Sequence, residues 1–138
     1  MNRLNPSELQ LFLRKYRFPG GRLKRLQFRY HRGEVTLLAL LAVRNAAGDP
    51  VKLKLRLLGI DEHRFQKRPS VPAGKIAEFR LSYLLGKVFL TFDSLGLPPG
   101  EMPGIHDYRA SEMFAAGSGL LWEEVKSKKS EVGTEAEA

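Results

Sequence analysis

The chain has 138 residues, 43% of them apolar and 28% charged, with 23 Lys/Arg, 15 Asp/Glu and no cysteine. That length suits one hydrophobic core, the apolar share excludes a wholly disordered chain, and the missing thiol excludes disulfides, thiolate metal sites and cysteine nucleophiles. The net charge of +8 is unevenly placed, because residues 1–87 hold 19 Lys/Arg against 6 Asp/Glu and residues 88–138 hold 4 against 9.

Residues 6–16 read as a helix, since Leu9, Phe12, Leu13 and Tyr16 recur at i, i+3, i+4 and i+7 and make one apolar stripe. Asn5 serves as N-cap, Pro6 suits the first position, and Glu8 stands where a capping-box carboxylate reaches back. Arg14, Lys15 and Arg17 crowd the other end, and Pro19-Gly20-Gly21 is expected to stop the helix. These first residues lack the uninterrupted apolar core of a secretory signal. The longest apolar run, Val35 to Val43, has about half the residues of a spanning helix, so no membrane insertion and a cytoplasmic location are expected.

From Leu23 the period becomes two, with Leu26, Phe28 and Tyr30 on one face and Arg25, Gln27, Arg29 and His31 on the other, the pattern of a half-buried strand. A two-residue turn at Arg32-Gly33 sets Tyr30 opposite Val35, Phe28 opposite Leu37, Leu26 opposite Ala39 and His31 opposite Glu34. Asn45 to Pro50 supplies turn residues, and a third strand follows in which Val51, Leu53, Leu55 and Leu57 alternate with Lys52, Lys54 and Arg56. Residues 62–68 are weakly patterned and read as a short edge strand or a loop ended by Pro69 and Pro72.

A second hairpin turns at Leu85-Gly86, with Tyr83 facing Val88, Leu81 facing Leu90, Phe79 facing Phe92 and Arg80 facing Thr91. Residues 94–105 carry three prolines and three glycines and read as an ordered cap or a functional loop. Ser111 is placed to cap a helical turn through Met113 and Phe114 to Gly117, before a closing strand at Leu120, Leu121 and Trp122.

The resulting expectation is a mainly-β fold, α+β at the margin: an antiparallel meander forming a helix-covered sheet, a small β-sandwich or a partly open barrel, with one short N-terminal helix. A single domain spans 1–125, and 126–138, rich in Lys, Ser, Glu and Ala, reads as a disordered charged tail. Leu38 and Leu40 fall on the outward parity of the second strand, so the N-terminal helix or the Trp122 segment is expected to cover them.

Chemistry is sparse. His31, His63 and His106 show no metal-ligand spacing, and neither Pro19-Gly20-Gly21-Arg22 nor Ala116-Gly117-Ser118-Gly119 matches a phosphate-binding fingerprint; no cofactor and no metal are expected. His106, Asp107, Tyr108, Arg109, Ser111 and Glu112 form the densest cluster of reactive types. A small hydrolase or transferase would centre on His106, Asp107, Arg109 and Glu112, although neighbours on a strand point apart. Such an enzyme would gather at least three of those side chains in one pocket around a perturbed titrating group.

The stronger feature is a basic face. Arg25, Arg29, Lys52, Lys54, Arg56 and Arg80 all take the outward parity, and if their strands are neighbours they form a field for phosphates or for an acidic protein. Phe28, Tyr30, Phe79, Tyr83 and Phe92 take the inward parity, leaving Phe89 outward, which disfavours base stacking. The sequence therefore points to a non-catalytic interaction module, with binding of nucleic-acid phosphates as the alternative.

Overall fold

The computed structural model describes residues 1–66, 74–98 and 100–125. In chain order its strands are β1 (Asn2–Leu4), β2 (Tyr16–His31), β3 (Glu34–Asn45), β4 (Pro50–Leu58), β5 (Glu62–Phe65), β6 (Arg80–Leu84), β7 (Lys87–Thr91), β8 (Met113–Gly117) and β9 (Gly119–Val125), with helices α1 (Leu9–Lys15) and α2 (Ile105–Arg109). Five strands form one antiparallel sheet in the order β1-β9-β4-β3-β2, and four form a second in the order β5-β8-β7-β6.

The fold is mainly β, as the alternating patterns predict, and of the three architectures considered it is the two-sheet one. Leu37, Ala39 and Leu41 of β3 and Leu53, Leu55 and Leu57 of β4 share one buried cluster with Leu81, Val88, Leu90 and Ala115 of the other sheet. Inward-facing residues of two sheets thus make a common core. Phe12 of α1 closes one end of it, packing against Tyr16, Phe18 and Trp122.

Both predicted hairpins form in the predicted register, with Phe28 opposite Leu37 and Leu81 opposite Leu90. At each turn both central residues have positive φ, Arg32 at 50° and Gly33 at 79°, Leu85 at 52° and Gly86 at 73°. That is the type I′ pattern, whose twist matches that of the flanking strands. The ladder between β6 and β7 begins at Arg80 opposite Thr91, so Phe79 and Phe92 meet just beyond it, ring centroids 5.0 Å apart.

Several expectations are corrected. A simple meander does not form, because the chain passes between sheets after β4 and again between β8 and β9. At the second crossing the Ser118 N–H donates to the Leu58 carbonyl at 2.8 Å, and Asp61 N–H reaches the Ala116 carbonyl at 3.2 Å. A Cβ on Gly117 would overlap the Leu58 carbonyl, so only glycine lets the two backbones approach here.

The N-terminal helix is a 3-10 turn, Pro6–Glu8, followed by α1, and Glu8 Oε1 accepts from the Asn5 N–H at 3.0 Å as the capping box predicts. Pro19-Gly20-Gly21 does not end it. The helix stops at Lys15, and the Pro-Gly-Gly segment lies inside β2 as an excursion between Arg17 and Arg22. Met113 to Gly117 is a strand, not the helical turn predicted from Ser111, because Phe114 and Ala116 face α2 while Ala115 faces the core. Residues 62–65 are an edge strand of the four-stranded sheet. Lys67 to Pro72 and the tail 126–138 lie outside the described residues.

The outer face of the four-stranded sheet carries a second apolar layer. Tyr108 of α2 packs with Phe89, Phe114 and Ala116, and its hydroxyl shares a 2.6 Å hydrogen bond with Ser82 Oγ. Among the described residues the outer face of the five-stranded sheet has no such layer: Phe12 of α1 and Trp122, expected to cover Leu38 and Leu40, pack with the core instead.

Candidate functional site

Cross-strand register assigns the outer face of the five-stranded sheet residue by residue. Leu38 on β3 lies between Gln27 of β2 and Arg56 of β4, and Leu40 lies between Arg25 and Lys54. Farther along, Ala42 lies between Arg22 and Lys52, and Arg44 faces Arg17. Along Leu38 and Leu40, β3 is therefore an aliphatic floor, and its neighbours β2 and β4 supply cationic walls.

This explains why Leu38 is only 8% exposed although no described helix or second sheet lies over it. The aliphatic stems of long basic side chains lie along apolar surface while their charged heads stay in water. Arg25, Gln27, Arg29, Lys54 and Arg56 flank Leu38 and Leu40 around a groove of about 280 Å³. Glu123 shares this outward parity opposite Lys54, and Glu34 closes the hairpin end opposite His31. No Phe, Tyr or Trp on the described strands of this sheet takes the outward parity.

Of the six cations singled out in the sequence, Arg25, Arg29, Lys52, Lys54 and Arg56 thus share one face. Arg80 does not join them. It stands on the other sheet, beyond the core, paired with Glu78 and donating to the Glu101 carbonyl at 3.2 Å. Arg17, Arg22 and Arg44 also belong to the basic face; Arg44 continues the outward parity of Leu38 and Leu40 but was not singled out, whereas Arg17 and Arg22 were not legible from the pattern. Pro19-Gly20-Gly21 interrupts the period of β2, which hides that Arg17 and Arg22 lie on the same strand as Arg25.

The cluster after the long loop is dispersed by the fold. Asp107 Oδ2 accepts from the Gly104 N–H at 2.7 Å, which caps α2. Arg109 turns to β5 and holds Glu62, while His106 is exposed. Ser111 is buried against Thr91 Oγ1 at 2.8 Å and accepts from the Met113 N–H. A depression of about 250 Å³ beside α2 includes Asp107, Ser111 and Glu112 together with Asp93, but neither His106 nor Arg109.

Perturbed titration follows structural roles. Glu62 is lowered from 4.5 to about 2 by hydrogen bonds from Arg109 and then Lys87, and burial raises the Tyr108 phenol to about 12. Neither group stands in the depression beside α2. Among the described residues no group of three or more His, Cys, Asp or Glu is arranged to hold a metal ion. No described helix is long and apolar enough to cross a membrane.

Compared with known proteins, the chain matches no family model, no curated protein and no solved structure. The functional reading therefore rests on the geometry of the basic face.

Proposed function

We propose that this chain is a single-domain, non-catalytic binding module of the cytoplasm whose contact surface is the basic outer face of the five-stranded sheet, and whose partner is an acidic protein segment. The observation that carries this reading is the aliphatic floor of Leu38 and Leu40 between two rows of cations. A ligand matched to it presents apolar side chains flanked on both sides by carboxylates. An amphipathic acidic helix does this, because its apolar stripe has two polar borders, whereas an extended strand places its second set of side chains on the face turned away.

A second reading, contact with nucleic-acid phosphates, is favoured by the repeat of the cations. Lys52, Lys54 and Arg56 are alternate residues on one strand, about 6.7 Å apart, and such a ladder can track a charged backbone. The aliphatic floor offers no stacking platform, which is why the acidic protein segment is preferred.

The test is a pair of titrations at two salt concentrations, one with a designed acidic amphipathic helix bearing Leu at i, i+3, i+4 and i+7, the other with single- and double-stranded oligonucleotides. A variant carrying Arg25→Glu, Arg29→Glu, Lys54→Glu and Arg56→Glu, checked for folding, accompanies both. Salt-sensitive peptide binding that is lost in the variant and in a scrambled peptide supports the reading. Oligonucleotide binding tighter than peptide binding replaces it with the phosphate reading, and no binding of either at low salt overturns both.

A further inference from the structure

The basic face ends in a second, larger pocket of about 550 Å³, formed by the Pro19-Gly20-Gly21 excursion of β2. Between Arg17 and Arg22 the chain leaves its ladder with β3, so these two residues, five apart in sequence, face Arg44 and Ala42, which are only two apart. Gly20 N–H donates to the Ile76 carbonyl and Ile76 N–H to the Gly21 carbonyl, both at 2.9 Å, which ties the excursion to residues 74–76. Gly21 is held close to β3, since a Cβ there would stand 2.8 Å from the Ala42 carbonyl oxygen.

Four cations line the pocket, Arg17, Arg22, Arg44 and Lys52, and among the described residues no carboxylate does. They stand in two rows. Arg17 faces Arg44 in one row, and Arg22 and Lys52 flank Ala42 in the next, about 6.7 Å along β3. Like charges directly opposite one another on neighbouring strands destabilise a sheet, so the Arg17–Arg44 pair is a cost that nothing in the core requires.

The pair is nevertheless fixed in place. Arg17 Nη2 donates to the Ala46 carbonyl at 3.2 Å and Arg44 Nη1 to the Gly48 carbonyl at 2.7 Å. Each guanidinium thus gives one donor to the turn after β3 and keeps others for a ligand. Guanidinium groups held this way suit the bidentate recognition of phosphoryl oxygens, and each tether lowers the cost of ordering the side chain when a ligand arrives.

We propose that this pocket is a binding site for a diphosphate group, with Arg17 and Arg44 on one phosphoryl and Arg22 and Lys52 on the other. Two cationic rows match two linked phosphoryl groups, and the volume lies within the range of small-molecule sites. This inference concerns a different end of the face from the Leu38–Leu40 groove and stands or falls separately from the protein-partner reading.

The experiment is calorimetric titration of the purified chain with inorganic pyrophosphate and with ADP, at constant ionic strength, with sulfate as the control anion. Saturable binding of one pyrophosphate, weakened about tenfold by Arg17→Gln or Arg44→Gln and unchanged by the paired groove variant Lys54→Gln, Arg56→Gln, supports the site. Equal affinity for ADP and pyrophosphate assigns recognition to the diphosphate alone, and tighter ADP binding assigns it to a nucleoside-borne diphosphate. Without ligand, each single arginine variant should also unfold at a higher temperature at low salt, because one member of the like-charge pair is gone. Pyrophosphate binding that is no stronger than sulfate binding, or that survives both arginine substitutions, overturns the proposal whatever the groove variants do with peptide.

Discussion

Arg109 grips Glu62 through two parallel hydrogen bonds, Nε to Oε1 and Nη2 to Oε2, each 2.9 Å. Lys87 adds a third contact to the same carboxylate at 2.9 Å and a fourth to Asp61. Arg109, which the sequence offered as part of a candidate catalytic cluster, is thus half of a brace that ties α2 to β5 and β7.

That brace predicts a defined pH dependence. Glu62 is shifted down from 4.5 to about 2, so between those values the unfolded chain binds the proton more readily and stability falls as pH falls. The contribution is fully present above about pH 5 and is lost on the way to pH 2. Glu62→Gln should cost about 1–2 kcal/mol at neutral pH, measured by urea denaturation, and much less near pH 2.5. A cost of the same size at both pH values would show that the carboxylate's charge contributes nothing.

The two hairpin turns predict stabilisation. Leu85 holds a φ of 52° and is 77% exposed, so it carries left-handed strain while burying almost nothing. Leu85→Asn creates the Asn-Gly pair that type I′ turns favour and should raise stability by about 0.5–1 kcal/mol. Arg32→Asn should act in the same direction, since Arg32 has a φ of 50° before Gly33. Thermal unfolding of both variants checks this, and a lower midpoint in either would mean that the side chain makes a contact worth more than the strain.

The corner between the sheets predicts the opposite. A Cβ on Gly117 would overlap the Leu58 carbonyl and approach Leu57 Cγ to 3.0 Å, and neither backbone can retreat without breaking the Ser118 N–H bond to Leu58. Gly117→Ala should therefore cost about 2–4 kcal/mol. Gly96→Ala, at a glycine with open space around it but a φ of 71°, should cost only the milder backbone strain of about 1 kcal/mol. Equal losses in the two variants would remove the steric argument.

Hairpin registers were legible because a period of two and a two-residue turn leave one pairing that puts Phe28 on Leu37 and Leu81 on Leu90. The partition into sheets was not, since nothing in the local pattern of Leu58 or Gly117 records that these backbones meet from distant parts of the chain. Phe89 illustrates the same gap. Its outward parity was readable, yet it is fully buried because Tyr108, 19 positions later by number, returns to cover it. For the candidate surface, alternation revealed the cations of β4 and the regular half of β2, whereas Arg17 and Arg22 were hidden by the Pro-Gly-Gly excursion and Arg80 was misplaced because parity does not name the sheet.

The wrapping of Leu38 by charged neighbours gives salt two opposite roles. In the free chain, ions that shield Arg25, Arg29, Lys54 and Arg56 from one another ease their mutual repulsion and favour the folded state. In a complex those ions compete with the partner. The thermal midpoint of the isolated protein should therefore climb with ionic strength while its affinity for an acidic ligand declines, so that dilute buffer, where binding is tightest, is where the unliganded fold has most to gain from being occupied.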